Sequence, residues 1–235
     1  TVKINNVKIC PDMSFKNMEN ENGDIISDGG FGAILARAGI GKTSFLVQLA
    51  INSMLKEKNV LHISLDDPVK KINLWYREVF NHISEKYELS GINRLWDSIL
   101  PHRFIQTLKV DGFSVPRLKE RITDLTEQNI FTPKMIIIDG MPFDESVKEN
   151  LDGLKDLANK FSIHVWFTIK THRHEQPTAG GLPVQLENIH EMFEVAIQLI
   201  PENGKIHTKT LIGGEGRSKH PELHIDPSTM LIMEE

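Results

Sequence analysis

The sequence predicts an α/β fold: a mostly parallel sheet flanked by helices, with antiparallel strands towards its C-terminal end. Two observations carry that reading. Apolar runs of strand length at 31–35, 59–65, 135–138 and 163–169 alternate with stretches whose apolar residues recur at helical spacing. Strands alternating with helices imply parallel pairing, with helices on both faces of the sheet. Beyond residue 195 the alternation stops, and apolar runs near 195–200, 205–211 and 223–225 follow one another across Gly and Pro turns. That is the pattern of antiparallel strands.

Taken in order, residues 1–30 hold a modest β element (Val2, Ile4, Val7, Ile9) and a polar link rich in Gly and Asn, while residues 31–235 form the main domain. After the run at 31–35 comes a Gly-bearing turn, then a helix with Leu46, Leu49, Ala50, Ser53 and Met54 on one face. The strand at 59–65 ends in Asp66-Asp67-Pro68, and Pro68 suits the first turn of a helix running through Ile72, Trp75, Val79 and Ile83. A short helix is expected at 91–99, a strand at 104–110 and a helix at 115–125. The strand at 135–138 closes on Asp139-Gly140, a helix follows at about 145–161, and a strand at 163–169 leads into a polar loop, 170–185. Trp75, Tyr76 and Trp166 fit core packing better than base stacking.

Composition narrows the class. Charged residues make up 25% and hydrophobic residues 40% of the chain, ordinary for a globular protein with a sizeable core. A net charge of −5 excludes a surface that is basic all over, while leaving room for a local basic channel. The one cysteine, Cys10, cannot form an internal disulfide, which points to a reducing, cytoplasmic setting. No apolar run is long enough to span a membrane, and none has the pattern of a signal peptide.

The stretch that carries chemistry is Ala36-Arg37-Ala38-Gly39-Ile40-Gly41-Lys42-Thr43-Ser44. Strand, Gly-containing turn, Lys-Thr, helix is the arrangement of a phosphate-binding loop, although Ala36 stands where the usual pattern has its first Gly. Gly39 and Gly41 let the backbone curl so that the N–H groups of residues 37–44 point at phosphate oxygens. The helix N-terminus adds partial positive charge at the same place. Lys42 would reach the β- and γ-phosphates of a nucleotide, and the Thr43 hydroxyl would ligate Mg²⁺. Asp139, delivered by an apolar strand to the same sheet edge, is the second candidate Mg²⁺ ligand. Asp66 and Asp67 end a parallel neighbour. There a carboxylate either activates the attacking water or caps the helix beginning at Pro68, and the two neighbours can divide those roles.

On these residues the chain resembles the DnaB-type replicative helicases, whose loop often reads Ala-Arg-Pro-x-x-Gly-Lys-Thr; Ala38 replaces the Pro here. Ser64-Leu65-Asp66 is similar to that family's Ser-Leu-Glu, whose Glu is the hydrolytic base, with the carboxylate one methylene shorter. Ile136-Ile137-Ile138-Asp139 resembles its Walker B strand. Thr168-Ile169-Lys170-Thr171-His172-Arg173 resembles a strand end that reads Ser-Gln-x-Asn-Arg, so Lys170 stands in for a γ-phosphate-sensing Gln and Arg173 is retained. Leu186-Glu187-Asn188 through Glu194-Val195-Ala196-Ile197 is similar to a further segment, Ile-Glu-Gln-x-Ala-Asp-x-Val, without its Asp.

The resemblance covers roughly residues 25–235 and implies a RecA-like ATPase domain, a plan that KaiC-like proteins share. It implies ATP and Mg²⁺ as ligands and a homo-oligomeric ring or filament in which a neighbour supplies a cation to the γ-phosphate. Lys209 and Arg217 are the candidates for that cation, against the plainer reading of a surface Lys and a turn Arg. It also implies that the 170–185 loop, with Lys170 and Arg173, touches single-stranded DNA through its phosphates; the plainer reading is a solvated loop. His172 and His174 lack the acidic or Cys partners of a metal site. Two functions follow: an ATP-hydrolysing motor or filament on single-stranded DNA, and a KaiC-like ATP-binding switch with weak hydrolysis and no DNA role. A metabolic nucleotide kinase is a distant third.

Overall fold

Apolar runs, each covered on both faces, account for most of the architecture. A computed structural model describes residues 18–172, 175, 177–213 and 223–234. The β element expected near the start of the chain, Cys10, Arg173, His174 and Arg217 lie outside the described residues. The strands are β1 (Phe31–Ala36), β2 (Val60–Ser64), β3 (Arg103–Thr107), β4 (Met135–Asp139), β5 (His164–Lys170), β6 (Val195–Glu202), β7 (Lys205–Ile212), β8 (Leu223–Ile225) and β9 (Ile232–Glu234). The helices are α1 (Lys42–Leu55), α2 (Val69–Lys86), α3 (Ile92–Ile99), α4 (Val115–Glu127) and α5 (Val147–Phe161). Among the described residues the strands join into one sheet in the order β3-β2-β4-β5-β1-β6-β7-β8-β9. The first six in that order pair in parallel, and β7, β8 and β9 continue it antiparallel.

Side chains alternate across a strand, and the two cores follow from that alternation. Ile34, Val60, Met135, Ile137 and Trp166 face α1, α2 and α3. Their chain neighbours Phe31, Ala33, Leu61, Ile136, Ile138, Val165 and Phe167 face α4 and α5. On the second side Phe31 and Phe167 meet edge to face with centroids 5.1 Å apart, a geometry worth about 0.5–1.5 kcal/mol beyond burial. Tyr76 and Trp166 are core residues, as expected, while Trp75 is half-buried beneath the Lys71 ammonium, 4.8 Å from its ring.

Several local expectations shift. Pro68 stands one residue ahead of α2, in extended backbone, rather than inside its first turn. The strand expected at 104–110 ends at Thr107, and Val110 begins a short 3₁₀ turn. The run at 195–200 was expected to be antiparallel, but β6 lies parallel to β1 on one edge. Only its other edge turns back antiparallel, through Asn203 and Gly204, both at positive φ, into β7. Strand β9 was not foreseen from its three residues.

Helix α1 departs most from a one-faced amphipathic pattern, because every residue from Phe45 to Met54 is buried. Two coverings account for this. Gln48, 2% exposed, clips α1 to the chain's end: its Nε2 donates to Met230 O at 2.7 Å, and its Oε1 accepts from Ile232 N–H at 2.9 Å. On the other side Met18, Ile25 and Ile26 pack into the same core. Glu19 there accepts from Asn52 at 2.9 Å and from Lys56 at 2.6 Å.

Candidate active site

The C-terminal ends of β1, β2, β4 and β5 converge on one edge of the sheet, where open α/β sheets bind ligands. Register fixes who meets whom: Ala36 pairs with Lys170, and Ser64 pairs with Asp139. Beyond Ala36 the chain turns through Gly39 (φ 78°) and Gly41 (φ 105°) into α1. Ala38 and Gly39 stand exposed, while Arg37, Ile40, Thr43 and Ser44 are half-buried around the turn. A side chain at Gly41 would also strike the Met230 methyl, so the turn is pinned from the β8–β9 side.

Lys42 folds back over this turn, its ammonium donating to Ala36 O and Arg37 O, each at 3.0 Å. Burial lowers its pKa and Lys170 lowers it further, while the charges of Asp139 and Asp66 oppose the shift. Lys42, Lys170, Asp66 and Asp139 therefore act on one another as a single electrostatic cluster.

Asp139 is 6% exposed and thoroughly hydrogen-bonded. Thr43 Oγ1 donates to its Oδ2 at 2.8 Å, and Thr168 Oγ1 donates to its Oδ1 at 2.7 Å while accepting from Gly140 N–H at 3.0 Å. Burial would raise this carboxyl, but the neighbouring His62 ring and the two hydroxyls outweigh it and hold Asp139 below the usual carboxylate range. One carboxylate beside one hydroxyl suits Mg²⁺, which keeps most of its shell as water and substrate phosphate. A cage of three or more His, Cys, Asp or Glu side chains does not occur among the described residues, so the donor set fits a metal brought in with a nucleotide.

Asp66 and Asp67 separate cleanly. Asp67 accepts from Lys71 Nζ at 2.6 Å, and its N–H donates to Ser64 Oγ at 3.0 Å, which ties it to the start of α2. Asp66 is exposed and abuts Gly140, where a Cβ would come within 2.7 Å of the Asp66 carboxyl. Partial burial and the charges of Asp139 and Asp67 raise the Asp66 pKa, with Lys170 and Lys42 pulling the other way.

Lys170 thus sits beside the phosphate loop, exposed at the end of β5. Lys209 is exposed on β7 opposite Gln198. The loop after β5 is partly ordered by its own bonds: Glu175 Oε2 accepts from His172 N–H at 3.0 Å and Gln185 Nε2 at 2.5 Å, and Thr178 and Leu182 close a turn at 2.8 Å. Beside it a cavity of about 260 Å³ opens between Arg37, Thr171, Gln185 and the end of β6. Thr168 was not expected among the site residues, nor were His62 and Tyr76 behind it. The available signal was a histidine inside an otherwise apolar strand and a hydroxyl one residue before the last apolar position of another.

Among the described residues no helix is long and apolar enough to cross a membrane. No protein-family model and no curated protein matches the sequence. Among solved structures, the ATPase domain of a DnaB-like helicase is similar over 89% of this chain and 86% of that chain, with a TM-score of 0.64 and 14% identity. At that identity the likeness is one of backbone course, and it gives this chain the RecA-like fold of a helicase ATPase domain.

Proposed function

We propose that this protein binds ATP with Mg²⁺, hydrolyses it, assembles into a homo-oligomer and couples turnover to single-stranded DNA in the cytoplasm. The observation that supports this best is the convergence of Lys42, Thr43, Asp139 and Asp66 on one sheet edge next to a glycine turn. In this reading the loop of residues 37–44 cradles the phosphates, Lys42 swings from its carbonyl partners to the β- and γ-phosphates, and Thr43 and Asp139 hold the metal. Bound Mg²⁺ would neutralise charge on the phosphate oxygens. Asp66 takes a proton from water as the water oxygen bonds to the γ-phosphorus and the bond to ADP breaks. Lys209 or Arg217 of a neighbouring subunit supplies the finger, while Lys170 and Arg173 meet DNA phosphates.

A second reading, a slow ATP-dependent switch with no DNA role, is favoured by one feature. Asp66 is a short carboxylate with a raised pKa, set between two lysines. Steady-state ATPase rates with and without single-stranded DNA, taken together with solution mass with and without nucleotide, decide between them. The motor requires stimulation by DNA and DNA affinity that falls steeply with salt. Hydrolysis without any DNA binding at low salt sinks the motor and leaves the switch. No Mg²⁺-dependent nucleotide binding at all sinks both.

A further inference from the structure

Behind Asp139 the polar groups continue into the core. His62, on β2, is wholly buried and sits on the face that packs against α2. Its Nδ1 lies 3.0 Å from the Tyr76 hydroxyl of α2. Its Nε2 points at Asp139 Oδ2 from 3.9 Å and has no hydrogen-bond partner. Tyr76 is itself fully buried, edge-on to the His62 ring with centroids 5.6 Å apart, and the Arg103 guanidinium lies 4.5 Å from the centre of the tyrosine ring. Asn73 accepts from Arg103 at 2.7 Å and fixes that guanidinium in turn.

We propose that His62, oriented by Tyr76, is the positioning residue for the metal-binding carboxylate of Asp139. This rests on the reading of Asp139 as a Mg²⁺ ligand.

The hydrogen-bond inventory assigns each role. An ionised Asp139 only accepts, so the imidazole nitrogen facing it must carry the proton. Nδ1 is then the acceptor, and the Tyr76 hydroxyl must donate to it. Burial raises the Tyr76 pKa well above its ordinary value, which keeps that hydroxyl protonated. Thr43 and Thr168 already donate to the carboxylate from its two sides. The His62 N–H approaches from the core, behind the oxygen that Thr43 shares. A small rotation of the carboxylate closes the 3.9 Å gap to hydrogen-bonding distance, so the ring braces Asp139 when it turns to ligate the metal. Without Tyr76's hydroxyl the imidazole is free to take the other tautomer and present a lone pair to the carboxylate.

The test measures nucleotide binding across a Mg²⁺ titration and again in EDTA, with thermal melting alongside. Tyr76→Phe keeps the ring packed against Arg103 and removes only the donor. His62→Asn keeps an amide near the Nδ1 position but cannot reach Asp139, whereas His62→Gln places an amide N–H near the Nε2 position. Tyr76→Phe and His62→Asn should raise the Mg²⁺ needed for half-maximal nucleotide binding by about 10–100-fold, the usual range for losing a group that orients a ligand, with His62→Gln affected less. Binding in EDTA and the melting temperature of Tyr76→Phe should match the parent protein. A Mg²⁺ requirement in Tyr76→Phe within about two-fold of the parent, or an equal loss in EDTA, overturns the proposal. Asp139→Asn serves as the reference. If it shifts the Mg²⁺ requirement while Tyr76→Phe and His62→Asn do not, only the positioning role falls. If Asp139→Asn leaves the requirement unchanged, the metal reading falls and takes this inference with it.

Discussion

The ends of β2 and β4 are neighbours in the sheet, and each closes on an aspartate, yet the two carboxyls are set in opposite directions. Asp139 on β4 is buried, receives two hydroxyl hydrogen bonds and is held below the ordinary carboxylate range. Asp66, just beyond β2, is exposed and held above it. Exposure alone would predict the reverse, since burial disfavours the charged form. Donors decide the matter. Asp139 meets hydroxyls from α1 and β5 and the ring of His62, whereas Asp66 meets the negative charges of Asp139 and Asp67. A carboxylate kept ionised suits a metal ligand, and one kept basic suits a proton acceptor; environments that push two carboxyls apart are the mark of a divided task.

The sharpest way to break this contrast is to neutralise each carboxylate in turn. Asp66→Asn should leave ATP binding intact and lower hydrolysis by roughly 10²–10⁴, the range for losing a positioned base. If Asp67→Asn shows that loss instead, the proton acceptor is the residue paired with Lys71. Lys42→Ala removes the cation facing both aspartates and should lower turnover by about 10²–10³, the scale for one lost stabilising donor, without unfolding the protein. Unchanged steady-state activity in that variant would remove the phosphate-loop reading.

A subtler probe uses Lys170, whose charge lowers the Asp66 pKa. A base must be ionised, so turnover falls as pH drops through a value above the ordinary 3.8 of Asp. Lys170→Gln should move that acid limb of the pH–rate profile to higher pH; an unmoved or lowered limb would show that Asp66 is not the titrating group. Asp139 behaves oppositely. Its depressed folded pKa contributes stability that is present above 3.8 and lost as pH falls through the lower folded value. Chemical denaturation of the parent and of Asp139→Asn should therefore converge in stability as the medium becomes strongly acidic.

The smallest effect expected is structural. Gly140 sits between the two carboxyls at φ 91°, and a Cβ there crowds Asp66. Gly140→Ala should cost about 1–3 kcal/mol, the scale of a strained positive-φ residue, read as a lower denaturation midpoint.

Whatever lies within a short stretch was legible from the residues alone. The apolar run, the Gly39 and Gly41 turn and Lys42-Thr43 place a phosphate-type loop at a strand end, because strand, turn and helix N-terminus are local structures. Asp139 and Asp66 were legible for the same reason, each standing where an apolar strand runs out. Which of Asp66 and Asp67 faces the loop was not legible; it depends on the Lys71 pair and on the register of β2 against β4. Nor were the burial of α1 on every side, the Gln48 clip to β9, the parallel edge of β6, or the line from Asp139 through His62 to Tyr76. Each depends on residues far apart in the chain, such as Gln48 and Ile232 or His62 and Asp139, which local patterns do not bring together. Only the strand order, with β4 laid between β2 and β5, carries the buried histidine of one strand to the carboxylate of the next.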